Sequence, residues 1–429
     1  MPHTLGLLLL LAQVHGEPVS LPLEDTEEPH YGVDLRLSGL ALWTGMDAGL
    51  AEGYVQVEPT FILDGGEPLR LSLGAPLRLR LPSGPAGAHG SLVRMKDWDS
   101  LSDFGQLVRS LSLGTPASAV TLRAGALEDY SLLSGHLVNR YSNRSAPDAH
   151  PAGAFLTGSL GPLHAEVFAS DVLAPRLLGG EVALDVAYLL GQAPEPTWRH
   201  ALALSAVHDF GRATEAPSPP ALAHADLDIG LVFHDDWQLF ALAGVGTSVG
   251  GPGQGMPWGA VAGLGLETLS DIWQVHARLE ARTQRGGFRQ GFFGPDYEVA
   301  RFLARPVFPD GASAFAELSL AHDSIHLDHA RRELHLLLAL EAFSWGRTDA
   351  QVRVAAWLDV RRLHVSLSAL AVGVGQADAR YTFSGELHYR FSQHLYVLAQ
   401  GGTLLFPSTD FHVRPGAFVS LGLGADYAR

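Results

Sequence analysis

There is no cysteine among the 429 residues, so disulfides, thiolate metal sites and a lipidated cysteine are all excluded. Lysine occurs once, at Lys96, and the formal net charge of −16 argues against a nucleic-acid partner. No apolar run reaches the roughly 18 residues that a spanning helix needs. The longest is Leu5–Ala12, which has the length and place of a signal core. There is no phosphate-binding glycine loop after a strand, no H-E-x-x-H and no G-x-S-x-G. No enzyme activity, cofactor or metal site is therefore expected. His322-Asp323-Ser324 and His326-x-Asp328-His329 invite a hydrolase or metal reading. In a strand, however, His326 and Asp328 share one face while His329 points away.

What is present is apolar character dispersed at alternate positions. Hydrophobic residues make up 47% of the chain, charged residues 17%, and the mean hydropathy is +0.12. The 48 glycines and 26 prolines suit many short strands joined by turns. In Ile272–Arg282, Trp273, Val275, Ala277, Leu279 and Ala281 alternate with Gln274, His276, Arg278, Glu280 and Arg282. That period of 2 puts an apolar face opposite a charged one. Similar alternation marks 224–233, 351–359, 363–371 and 381–391, and return strands follow at 237–246, 258–267, 395–402 and 418–427. The first half is less regular, with strands expected at 31–43, 54–63, 69–81, 119–126, 155–160, 164–170 and 182–190. No strand is assigned in 191–223 or 311–350. Phe104, Leu107, Val108 and Leu111 have helical spacing, which predicts a short helical insert near 97–113, inside the lumen or at its rim. Residues 141–151 read as a polar loop.

Connections sort by parity. Those at 234–236, 269–271, 360–362 and 392–394 are short, whereas 247–256, 283–310 and 403–415 are long. Trp43, Trp237, Trp258, Tyr381, Phe391 and Tyr427 fall near strand ends. Short turns on one side, long loops on the other and interfacial aromatics are the marks of a barrel with lipid outside and water inside. The expected organisation is a signal peptide at 1–16, an acidic periplasmic lead at 17–30 and one barrel domain at 31–429. The expected fold is an all-β, antiparallel, up-and-down transmembrane barrel of about 18 strands, within 16–20.

With signal, alternating strands, sorted loops and a terminal strand Leu421-Gly-Leu-Gly-Ala-Asp-Tyr427-Ala-Arg429, the chain resembles a Gram-negative outer-membrane β-barrel protein. In that class an aromatic usually ends the chain; here Tyr427 is third from last. The arginine-rich, lysine-poor usage resembles myxobacterial proteins, and the size resembles barrels of roughly 18 strands used in polysaccharide export. The resemblance implies export to the outer membrane and contact with its lipids and assembly machinery. It also implies a channel or translocator for polar solutes, with a periplasmic export or envelope partner. A non-conducting barrel anchoring a motility or adhesion complex, or an outer-membrane hydrolase, are the alternatives.

Lumen-facing candidates are Gln274, His276, Arg278, Glu280, Arg282, Arg353, His364, Glu386, His388 and Arg390. Opposed Arg and Glu rows would filter solutes by charge, or else pair with each other to stiffen the wall. In the long loop, Arg285, Arg289 and Arg301 interleave with Phe288, Phe292, Phe293, Tyr297 and Phe302. Folded inward, such a loop forms a constriction or a track on which sugar rings stack; folded on itself, it is an external loop.

Overall fold

The computed structural model describes residues 30–44, 52–66, 68–81, 91–115, 118–145, 147–189, 200–210, 221–234, 236–249, 256–268, 270, 272–302, 308–326, 329–358, 362–407 and 412–428. The signal and nearly all of the acidic lead lie outside these residues, as do Asp328 and the side chains of His326 and His329.

Along the chain run β1 (His30–Trp43), β2 (Glu52–Asp64), β3 (Leu69–Gly74), β4 (Leu77–Arg80), β5 (Val108–Leu113), β6 (Val120–Gly125) and β7 (Gly153–Leu160). Next come β8 (Leu163–Ala169), β9 (Leu177–Asp185), β10 (His200–Asp209), β11 (Ala221–Phe233), β12 (Trp237–Val249), β13 (Trp258–Thr268) and β14 (Trp273–Arg285). The last are β15 (Gly311–His326), β16 (His329–Phe343), β17 (Thr348–Leu358), β18 (Leu363–Val374), β19 (Arg380–Arg390), β20 (Leu395–Pro407) and β21 (Val413–Ala428). Neighbours pair antiparallel, and β1 pairs with β21, so the sheet closes on itself. β3 and β4 both pair with β2 and share one place in the wall, interrupted at Ala75-Pro76, because proline has no N–H to give the ladder. The barrel therefore has 20 strands, the upper end of the expected range.

Burial follows the period of 2. On β14, Arg278, Glu280 and Arg282 are buried while Leu279 is 64% exposed. Leu37, Leu204, Val245, Leu421 and Leu423 likewise point outward. A closed sheet leaves no edge, and this apolar exterior matches a hydrocarbon layer. Tyr31, Trp273, Phe391 and Tyr427 ring the end where β1 starts and β21 finishes, here the terminal end, and Trp258 and Tyr381 stand exposed at the other. Turns at the terminal end are short, apart from the connection 186–199 between β9 and β10. Leu160 and Leu163 face each other across Gly161-Pro162, where Gly161 takes φ +59 as a two-residue hairpin turn requires. The far end carries the long connections, with the four-residue turn 344–347 as an exception.

Three sequence expectations change. The insert near 97–113 is helical only as short 3-10 turns, Met95–Asp97 and Leu101–Leu107; from Val108 the chain is strand β5. It does not enter the lumen. Val93 bridges to Leu79 of β4, and Leu92, Met95, Leu101, Phe104 and Leu107 face outward at every third residue or its multiple. A 3-10 turn eclipses residues three apart, which is why the spacing looked helical. The unassigned stretches hold β10, β15 and β16. On β16, Leu337, Ala339 and Phe343 are buried while Leu338 and Leu340 are exposed, so apolar residues occupy both faces and mask the alternation.

Candidate functional site

The lumen is not open at the level of those inward apolar residues. The described residues of two far-end connections, 126–152 and 286–310, fold into it and meet. Asn139 N–H donates to the Phe293 carbonyl at 3.1 Å, Phe293 N–H to Leu137 at 3.1 Å, and Gly291 N–H to His136 at 2.8 Å. The first loop is braced by reciprocal bonds between Tyr130 and Tyr141, 2.9 and 2.7 Å. Tyr130, Leu132, Leu137, Val138, Tyr141, Phe288, Phe293 and Tyr297 form one apolar cluster with inward residues of β7 to β11, among them Phe155, Phe168 and Val207. This is a plug with its own core.

Polar side chains hold the plug to the wall and its two loops to each other. Phenols donate to carboxylates: Tyr130 to Glu166 at 2.5 Å, Tyr141 to Glu298 at 2.5 Å and Tyr297 to Asp209 at 2.6 Å. Burial, and then the adjacent carboxylate, push all three phenols well above their ordinary pKa, so they remain donors. Arg289 pairs with Asp349 at 2.6 Å and Glu341 at 3.2 Å, and Arg140 with Glu317 at 3.6 Å. Arg353 reaches Asp129 and Glu128 of the first loop; Arg380 reaches Asp296 of the second.

The structure separates the sequence candidates into groups. Arg278, Glu280 and Arg282 lie together behind the plug. Glu280 bonds both arginines, Arg282 also reaches Glu341 at 3.2 Å, and its guanidinium sits 3.9 Å over the Phe315 ring. Gln274 and His276 lie nearer the terminal end and are half-buried; His276 is 3.8 Å from Glu267. His364 and His388 face each other across β18 and β19, flanked by Trp357 and Tyr396. Glu386 accepts from Gln400 at 2.8 Å, and Arg390 pairs with Asp426. In the loop, Phe288 and Phe293 are wholly buried, Tyr297 nearly so and Phe292 partly. Arg301 pairs with Glu298 at 3.3 Å and lies over Phe302. Arg285 stays outside, 5.8 Å from the Trp258 ring.

Sequence reasoning read 141–151 as a polar loop but assigned no role to Tyr130, His136, Arg140 or Tyr141. The further signal was length: 126–152 is long for a structureless connection.

Between the plug and β17–β21 lies a cleft of about 990 Å³. The loops contribute Glu128, Asp129, Ser142 and Asp296; the wall contributes Arg353, Ser368, Thr382, Ser384 and Thr403. Towards the terminal end the same wall continues through half-buried Glu386 and Gln400.

A closed, even-stranded barrel with an apolar exterior and a polar, plugged interior is the architecture of outer-membrane β-barrel proteins. No family model and no curated protein matches the sequence. Among solved structures, the chain is similar to OccAB4 of Acinetobacter baumannii at 10% identity and TM-score 0.34, over 95% of this chain and 100% of that one. It is similar to the outer membrane protein opdK of Pseudomonas aeruginosa at 10% and 0.35, over 94% and 100%. The figures for a BenF-like porin of Pseudomonas fluorescens Pf-5 are 10% and 0.36, over 94% and 100%. Likeness at these identities concerns the fold.

Proposed function

We propose that the protein is an outer-membrane channel of a Gram-negative bacterium, exported by its N-terminal segment, that passes small polar solutes along the cleft between plug and wall. The observation that carries this reading is the cleft itself, lined by Ser and Thr hydroxyls and by paired charges of both signs. The Arg353–Asp129 and Arg380–Asp296 pairs set wall cations against loop carboxylates, so a solute crosses a transverse field. Hydroxyls offer donors and acceptors without fixed charge. Polysaccharide export is disfavoured while the plug is seated, because a sugar chain cannot stack on the buried rings of Phe288 and Phe293.

The test is single-channel recording of the refolded chain in a planar bilayer, beside a variant lacking 286–302. Small steady conductance that rises on deletion supports the reading. A folded, heat-modifiable barrel silent in both forms rejects it and favours the anchoring role.

A further inference from the structure

The first plug loop meets the wall at a cluster with the chemistry of a metal site. His136, from the loop, and His224 and Asp226, both on β11, bring their ligand atoms within 4.8 Å of one another. His136 Nδ1 lies 2.5 Å from Asp226 Oδ1, and His224 Nδ1 lies 2.9 Å from Asp226 Oδ2. All three are at most 4% exposed. The wall is hollowed to admit them, since a Cβ on Gly244 would come within 2.5 Å of both Asp226 Oδ1 and the His224 ring.

Charge around the cluster calls for a cation. Among the described residues Asp226 pairs with the two imidazoles and with no arginine or lysine. Among the described residues, buried Glu181 on the neighbouring wall accepts only from the Ser134 amide and hydroxyl of the same loop. On the side away from Asp226, His136 Nε2 faces both Glu280, at 3.4 Å, and the Arg278 guanidinium, at 3.2 Å, whose charge Glu280 balances. A carboxylate behind a ligating imidazole fixes its tautomer and raises its basicity. The His224 Nε2 atom has no hydrogen-bond partner.

We infer that His136, His224 and Asp226 bind one divalent transition-metal ion, of the kind that takes imidazole and carboxylate ligands, and that the ion clamps the first plug loop to β11. Two imidazoles and a carboxylate are an established donor set for zinc. Ligand atoms each about 2 Å from a tetrahedral ion stand roughly 3.3 Å apart, so the two His–Asp contacts must open by under about 1 Å while the widest separation, up to 4.8 Å, closes by about 1.5 Å. Binding displaces the protons now shared with Asp226. This inference rests on the plug geometry and is independent of conduction.

The test uses the full refolded chain in detergent, stripped with chelator and titrated with zinc chloride alone. Zinc uptake and amide exchange are measured on the wild type, His136→Gln and Asp226→Asn. His136 is in a loop, so barrel closure does not depend on it, and heat-modifiable migration checks that each variant is folded. The expected result is one zinc per chain and slower exchange at the amides of Gly135 and Asn139. Each substitution should weaken binding at least about 100-fold, since each removes a ligand, whereas loss of an outer-shell partner alone costs 10–100-fold. Absence of saturable one-to-one uptake by the folded wild type overturns the inference. So does uptake undiminished in folded His136→Gln.

Discussion

Replacing Phe288 by alanine should unseat the plug and leave the barrel standing. The ring is wholly buried, lies near-parallel to His224 at 6.4 Å between centroids, and fills a hollow made by two wall glycines. A Cβ on Gly246 would sit 2.3 Å from its Cζ, and one on Gly259 2.6 Å from its Cδ1. Truncating such a ring costs about 3–5 kcal/mol, because the surrounding wall cannot collapse into the space. Phe288 belongs to no strand, so this cost falls on the equilibrium between seated and released plug. At about 1.4 kcal/mol per factor of ten, the released fraction should rise roughly 100- to 4000-fold. The assay is hydrogen exchange at the three amides that join the loops, Asn139, Gly291 and Phe293, followed alongside amides of β14 and β15. Exchange at the three should accelerate by that factor while the strands keep their protection. If all three stay as protected as in the wild type, the ring does not seat the plug. If protection falls throughout the barrel, the plug and wall are one cooperative unit and the two-body account fails.

Gly246→Val attacks the same contact from the wall: its side chain must displace Phe288, so brief channel openings should become more frequent in bilayer recordings. Arg353→Gln removes the wall cation facing Asp129 and Glu128, and reversal potentials in a salt gradient should shift towards cation preference. Tyr141→Phe removes the phenol that donates to Glu298 Oε1, leaving that oxygen buried while Arg176 and Arg301 stay on Oε2; the loss costs about 1–3 kcal/mol and should show as faster exchange in 127–145 with the wall unchanged. Leu279→Arg puts a guanidinium at mid-height on the outer face. Folding into lipid vesicles should lose about 2–4 kcal/mol, measured by denaturant titration, and no loss would mean that this face does not meet lipid.

The wall of the barrel was readable wherever its two faces meet different solvents. On β14 the outer residues meet lipid and the inner ones are Gln, His, Arg and Glu, so strand, register and facing all follow from alternation. On β16 the inner face packs on protein, and Leu337, Ala339 and Phe343 are as apolar as the Leu residues facing lipid. The pattern disappears there for the same physical reason that made it visible on β14. The 3-10 stretch misled in another way: Leu101, Phe104 and Leu107 repeat every three residues, too close to the helical period to separate in so short a segment.

The candidate site was legible in part. The aromatic and arginine content of 285–302 singled it out, but not whether its rings would lie outside or within. That depended on glycines at 246 and 259, which the register of β12, β13 and β14 aligns beneath Phe288. The pairing of His136 with Asp226 spans 90 residues and carries no local signal.

Period 2, turn chemistry and the want of cysteine and of long apolar runs were enough to determine a transmembrane barrel, because solvent acts on each strand locally. Closure at 20 strands, the plug and its cleft were decided by tertiary structure, because they depend on which distant side chains share the space that the closed wall encloses.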